Sequence, residues 1–470
     1  MGRERAAGTP SVNALAESPA NPARRVLFLA FYFPPLGGGG VQRSVKFVRY
    51  LPELGYEPVV VTGPARGRTR HAPLDVSSDE SLAASTRIAR MEGNLPDDSR
   101  PDRWARWFQR PSTFEQAWSA GCIAAGRRAA GSAPVDVIFA TMSPFETSRA
   151  AAALSAELGV PWVADLRDPW ALDEMTVYPT RWHRALAERR MGARLASASR
   201  VVMNTPEAGR ALRERFAGLA ERTAVIPNGF DPEDFGPPPQ RPPGDPFRIV
   251  HVGSLHAALG AANRRRRRLR RWVGGERVPV DILARSHVHL LRALERWQRD
   301  RPDEVANVEL VLAGDLSAAD RDTVARSCVR NRVRMPGYVS HAEAIRWLQR
   351  ADLLFLPMHG LPPGERARIV PGKAYEYLGA RRPILAAVPE GDARDFVLAS
   401  GLGEVCGPDE VEAMEAIARR RYAGRYQKPT TPVDAAIRRF ERRALSRALA
   451  DELDRAIAQN ADKTTAGSLL

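Results

Sequence analysis

At 470 residues, the chain exceeds what one hydrophobic core usually supports, so two domains of about 200 residues each are expected. Its 44% hydrophobic and 27% charged residues are ordinary for a soluble globular protein, and no apolar run approaches the roughly 20 residues that cross a bilayer. The formal charge of +15 invites a nucleic-acid partner, yet the basic residues are almost all arginine and accompany abundant Ala, Gly and Pro. That is the bias of a GC-rich coding sequence, so no nucleic acid is expected, although an anionic membrane face would attract the excess charge.

Residues 1–23 lack the continuous apolar segment of a signal peptide and are expected to be a disordered tail. An apolar strand follows over residues 24–33, then Pro34-Pro35-Leu36 and the glycines Gly37, Gly38, Gly39 and Gly40. Val41, Val45, Val48 and Leu51 form the stripe of a helix, and residues 56–62 a second strand. A glycine loop at the carboxyl end of the first strand of a βαβ unit lies where open α/β sheets bind ligands. It is not a dinucleotide fingerprint. Counted from Gly38, the third glycine would fall on Arg43, and the second strand ends in Thr62-Gly63 without an acidic residue for an adenosine ribose. Gly38, Gly39 and Gly40 either let a sugar or phosphate approach the backbone or make only a tight turn.

Trp104, Trp107 and Phe108 stand among arginines, a pattern that suits an interfacial membrane anchor or a short amphipathic helix packed on the domain. A strand over 135–140 comes next, and then VPWVADLRDPW at 160–170. This places Asp165, Arg167 and Asp168 just past a buried strand, either facing a cleft, where they are candidates to orient a hydroxyl and stabilise charge, or salt-bridged to position Trp170. Residues 200–203 form a strand entering a helix capped by Thr205 with Pro206 at its first position. VIPNGFD, at 225–231, is a strand ending in a bend, and the proline-rich stretch 236–246 is a linker. The expected domains are therefore 24–235 and 247–425.

In the second domain, residues 247–252 are a strand leading to Gly253-Ser254. An insertion over 257–280, with Arg264 to Arg268 in a row, reads as a solvated mobile loop, a membrane-surface contact or, last, a nucleic-acid contact. Helices over 287–297 and 341–349 alternate with strands over 308–313, 333–338 and 351–357. Asp320-Arg321-Asp322 has the D-x-D form of metal-dependent sugar transferases but falls inside a helix, so no metal is expected. Cys122, Cys328 and Cys406 are widely spaced and read as small buried hydrophobes in a reducing cytoplasm. No cofactor is expected.

The most informative stretch is RIVPGKAYEYLGARRPILAAV, Arg368 to Val388. Pro371-Gly372 ends an extended segment, a compact helix begins, Arg381-Arg382-Pro383 closes it, and an apolar strand follows. Lys373 and Glu376 sit in the helix's first turn, where unpaired N–H groups suit a diphosphate and a carboxylate suits ribose hydroxyls. Residues 426–470 hold a long charged helix, about 432–459, expected to cross back and brace the first domain.

GKAYEYLGARRPILA resembles the signature of bacterial glycosyltransferases with the GT-B architecture, α/β with two Rossmann-like domains facing a cleft, and is closest to those of family 4 that build surface polysaccharides. DLRDPW, VIPNGFD and HVGSLH resemble further family segments in the family's order. The resemblance implies that Glu376 holds the donor ribose and that the backbone around Pro371, Gly372 and Lys373, with Gly253 and Ser254, meets the diphosphate. Many members carry a glutamate where this chain has Arg368. The Arg and Lys that commonly follow the glycine of the HVGSLH segment are displaced by the insertion, leaving Arg264 to Arg268 or Arg277 as substitutes. The implied activity moves a sugar from a nucleoside-diphosphate donor to a saccharide or lipid-linked saccharide in cell-surface polysaccharide or lipopolysaccharide synthesis, with retention and without a metal, in the cytoplasm or on the inner membrane face. Two rivals are a nucleotide-sugar epimerase of the same fold and a non-catalytic polyanion-binding protein.

Overall fold

The computed structural model describes residues 23–37, 39–64, 82, 86–96, 107–108, 110–237, 239, 242, 244–425 and 431–467. Gly38, Trp104, nearly all of the expected tail and part of the linker lie outside them.

The first lobe is a seven-stranded parallel sheet. Its strands are β1 (Arg24–Ala30), β2 (Tyr56–Thr62), β3 (Arg87–Arg90), β4 (Val137–Met142), β5 (Trp162–Leu166), β6 (Arg200–Met203) and β7 (Thr223–Val225), in the order β3-β2-β1-β4-β5-β6-β7. The second lobe repeats the plan with six strands, β8 (Phe247–Val252), β9 (Val308–Ala313), β10 (Val333–Gly337), β11 (Leu353–Pro357), β12 (Ile384–Ala387) and β13 (Gly403–Cys406), ordered β10-β9-β8-β11-β12-β13. Strands such as β1 and β11 are buried on both faces under helices, which is why they read as unbroken apolar runs. The strands β3 (RIAR) and β13 (GEVC) were not anticipated: both are four-residue edge strands whose arginine, glycine and glutamate carry little strand preference. In each sheet the order reverses beside the lobe's first strand, between β1 and β4 and between β8 and β11. Ligand crevices open at the carboxyl ends of such switch points.

The chain passes between lobes at two adjacent places. After β7, Phe230 enters the core of the second lobe. There its N–H donates to the Phe440 carbonyl at 3.1 Å, and the Arg442 N–H donates to the Phe230 carbonyl at 3.0 Å. A Cβ on Gly229 would stand 2.1 Å from the Phe440 carbonyl oxygen, so only glycine allows the two segments to pass. The helix expected near 432–459 is in fact two. Asp434–Arg438 leaves Ile437 and the following Phe440 in the second lobe's core, whereas Arg442–Gly467 packs Leu445, Leu449, Leu453 and Ala456 into the first lobe's core at helical spacing.

The arginine-rich stretch is a helix, Ala257–Trp272, and not a mobile loop. Alanine and arginine are both strong helix formers. Gly260 allows the helix to touch the backbone of Leu283, where a Cβ would come within 2.4 Å, and Arg264 pairs with Asp281 at 2.6 Å. Among the described residues no helix is long and apolar enough to cross a membrane.

Candidate functional site

On the second lobe, β8, β9 and β10 each give way to a glycine of positive φ: Gly253 (+102°), Gly314 (+144°) and, as the last residue of β10, Gly337 (+83°). A Cβ on Gly314 would lie 2.7 Å from the Gly253 carbonyl oxygen, and one on Gly253 would lie 3.0 Å from Lys373 Nζ. Beside this bare floor starts the helix Gly372–Ala380. Pro371 precedes it with φ −59°, and no side chain caps its first turn. A Cβ on Gly372 would meet nothing within 4 Å, so the helix start borders open space. Tyr377 fixes the helix from its buried side: its hydroxyl accepts from the Val252 N–H at 3.1 Å and donates to the Phe355 carbonyl at 3.2 Å.

That anchoring brings Lys373 Nζ to 3.0 Å from His251 Nε2 and 3.3 Å from the Ser254 carbonyl. His251 Nδ1 lies 3.0 Å from the Phe355 carbonyl, so the ring is a neutral tautomer that donates from Nδ1 and accepts at Nε2. Burial, and then the Lys373 charge, hold its pKa well below the usual imidazole value. Burial, and next the neighbouring Arg285, bring the Lys373 ammonium down to about 7. His256 falls to about 4, mainly through burial and then through Arg285 and Lys373. Lys373 and Arg285 thus concentrate positive charge at the helix start. Glu376, one turn along, is 20% exposed and lies 3.8 Å from His341 Nδ1, whose Nε2 is 3.3 Å from Asp234.

The first lobe supplies the facing wall. Asp168 is exposed, and its carboxylate acts on the neighbouring Asp173 and on Arg285. Burial, followed by the charge of Glu174, pushes Asp173 up to about 7. Trp170, with φ +53° and stacked on Phe145 at 4.5 Å, turns the chain toward the other lobe. There Glu174 accepts from the Arg368 N–H at 3.0 Å and stands 3.2 Å from His359 Nε2. Arg368 also donates from its guanidinium to the Leu172 carbonyl at 3.1 Å and accepts on its own carbonyl from Thr205 Oγ1 at 2.7 Å. Asp392 completes the seam by accepting from the Glu207 N–H at 2.8 Å.

The candidate residues therefore divide. Gly253, Ser254, Pro371, Gly372, Lys373 and Glu376 gather on the second lobe, with Asp168 opposite and Arg368 in the seam. Asp165 is fully buried instead of facing the cleft. Its carboxylate is gripped by Arg43, at 2.7 Å from Nη2 and 3.1 Å from Nε, and the same guanidinium donates to the Ile226 and Pro227 carbonyls. Arg167, half-buried just after β5, donates to the Met142 carbonyl at 2.7 Å and to the Gly40 carbonyl, with its guanidinium 5.2 Å over the Tyr32 ring. Gly39 and Gly40 open the helix Gly39–Tyr50, and a Cβ on Gly40 would come within 3.0 Å of Arg167 Nη1. Gly38 is outside the described residues.

Arg264 and Arg277 are occupied by Asp281 and Glu188, so the cation beside Lys373 is Arg285, which sequence reasoning missed. Asp320, first of the D-x-D pair, is fully buried in the helix Ala318–Ala325 and closes a capping box with Ser317. Among the described residues no group of three or more His, Cys, Asp or Glu could hold a metal ion.

Two doubly wound parallel lobes meeting across such a cleft define the GT-B class of α/β glycosyltransferases. Residues 38–229 match the family model of the glycosyl transferase 4-like domain, which together with this fold supports a glycosyltransferase-type enzyme. The fold is similar to Anabaena HepE in complex with UDP and glucose, with TM-score 0.56 and 16% identity over 95% of this chain and 100% of HepE. It is similar also to sucrose-phosphate synthase from Thermosynechococcus elongatus, with TM-score 0.55 and 13% identity over 95% of this chain and 99% of that one. The lipopolysaccharide outer core galactosyltransferase WaaB gives TM-score 0.55 and 12% identity over 93% and 99% of the two chains. No curated protein sequence matches the chain.

Proposed function

We propose that the chain transfers a sugar from a nucleoside-diphosphate donor to a saccharide or lipid-linked saccharide in the synthesis of a cell-surface polysaccharide or lipopolysaccharide, on the cytoplasmic side of the membrane. The observation that carries this reading is the convergence of Lys373, Arg285 and an uncapped helix start on the glycine floor at the β8/β11 switch point. Such a cradle suits a diphosphate. Glu376 would accept hydrogen bonds from the ribose. HepE, a fold neighbour, is seen with UDP and glucose, which makes UDP-hexoses the first donors to try.

In the reaction the bond between the anomeric carbon and the diphosphate oxygen breaks and a bond to the acceptor oxygen forms. Negative charge builds on the departing diphosphate, where Arg285, Lys373 and the N–H groups of the helix start stabilise it without reorganising. The acceptor proton passes to the leaving phosphate, in keeping with retention and with a reaction that needs no metal. Asp168, exposed on the opposite wall, would orient the acceptor hydroxyl. Asp165 and Arg167 act indirectly by fixing that wall.

The test is a thermal-shift screen of nucleotide sugars, followed by incubation of the stabilising donor with and without oligosaccharide acceptors. Donor consumption that requires an acceptor supports transfer. Turnover of donor alone into an isomeric nucleotide sugar would establish the epimerase instead, and a chain stabilised by none of the donors would not be this enzyme.

A further inference from the structure

Two stretches far apart in the chain, Trp107 and the end of the helix Ala257–Trp272, meet at one junction. The Trp107 ring lies 4.9 Å from that of His183, in the first turn of the helix Arg181–Leu195. The Arg181 N–H donates to the Val273 carbonyl at 3.0 Å, and a Cβ on Gly274 would lie 3.2 Å from Arg181 Cβ. Val273 directly follows the helix Ala257–Trp272, so its end abuts the start of the other helix across the lobes. Around this junction stand large apolar side chains outside any core: Trp272 is 85% exposed, Trp182 72% and Trp107 53%. The sequence of the adjoining helix holds Arg265 to Arg268, Arg270 and Arg271 besides the Arg264 that pairs with Asp281, and no acidic residue.

We propose that this face docks on the anionic headgroup surface of a lipid bilayer. Exposed indoles are stable at the headgroup level, where the ring is buried and the N–H stays hydrated, and clustered arginines are drawn to anionic lipid. The charge occupies one helix and the rings stand beyond its end. Nucleic acid binding instead calls for aromatic stacking platforms along a basic groove. A hydrogen bond from the Tyr178 N–H to the Gly275 carbonyl, 2.9 Å, joins the surface to the segment that runs back to Glu174 and Trp170. A chain docked here would keep its cleft beside the bilayer, where a lipid-linked acceptor arrives. The surface itself does not depend on the donor assignment.

The experiment is co-sedimentation of the full chain with vesicles of phosphatidylcholine alone or with added phosphatidylglycerol. A preference of about tenfold or more for the anionic vesicles, weakening with salt, is expected. The double variant Trp182→Ala/Trp272→Ala should lose about tenfold in vesicle affinity, as expected of removing two interfacial anchors, while keeping its melting temperature and its affinity for nucleoside diphosphate. Equal binding to both vesicle types, an unchanged double variant, or tighter retention on duplex DNA than on anionic vesicles at the same salt would overturn the proposal. If the double variant melts early, tryptophan emission of the unaltered chain decides: a blue shift with anionic vesicles supports docking, and unshifted emission refutes it.

Discussion

The ammonium of Lys373 stands 3.0 Å from Nε2 of His251, a buried imidazole whose other nitrogen is held 3.0 Å from the Phe355 carbonyl. Burial, and next the charge of Arg285, bring the Lys373 pKa down to about 7, and the neutral ring beside it supplies no counter-charge.

Nucleoside-diphosphate affinity should therefore depend on pH. Binding a diphosphate favours the protonated lysine and takes up a proton whenever the free protein lacks it, so affinity is greatest below pH 7 and falls about tenfold per pH unit above it. Lys373→Met should weaken binding and flatten this profile; calorimetric titrations at pH 6, 7, 8 and 9 with both proteins check it. The stability sign runs the other way. A lysine whose pKa is depressed from 10.5 to about 7 contributes stability that is present above 10.5 and lost as pH falls through about 7.

Asp165 and Arg43 are a buried pair, and removing one partner strands the other. Asp165→Asn or Arg43→Met should each destabilise the chain by about 3–5 kcal/mol. Because both changes break the same pair, the double variant should cost less than the sum. Denaturant unfolding of the three variants measures this, and additive losses would contradict the pairing.

Gly229→Ala should disturb the place where the two inter-lobe segments pass. A methyl that must clear the Phe440 carbonyl forces a backbone shift costing about 1–3 kcal/mol. The melting temperature should drop and the radius of gyration in small-angle scattering should rise as the lobes part.

Much of this architecture is readable in the residues. The runs VLFLA in β1, VELVLA in β9 and LLFLP in β11 announce parallel strands because burial on both faces leaves no room for polar alternation. Lys373 and Glu376 are legible through Pro371-Gly372, which marks the helix start. Arg285 was not, because the helix Ala257–Trp272 separates it from Gly253 and destroys any local spacing; only the folded β8 loop brings it beside Lys373. Asp165 misled for a similar reason. Its partner Arg43 lies 122 residues away on the first helix, and nothing near either residue announces the pairing. Asp165 is moreover the fourth residue of β5 and not a residue beyond it, so its carboxylate stays inside the lobe, where Arg43 claims it.

The central claim is that a nucleoside diphosphate rests on Lys373, Arg285 and the helix start, with its ribose on Glu376. The most direct measurement is calorimetric titration of UDP, or of whichever nucleoside diphosphate stabilises the chain, into the unaltered protein, Arg285→Ala and Glu376→Ala, each first shown to melt as the unaltered protein does. Each substitution removes a charged group's hydrogen bonds to the ligand, so affinity should fall by about tenfold or more in both variants. Unaltered affinity in both would place the nucleotide elsewhere and contradict the account.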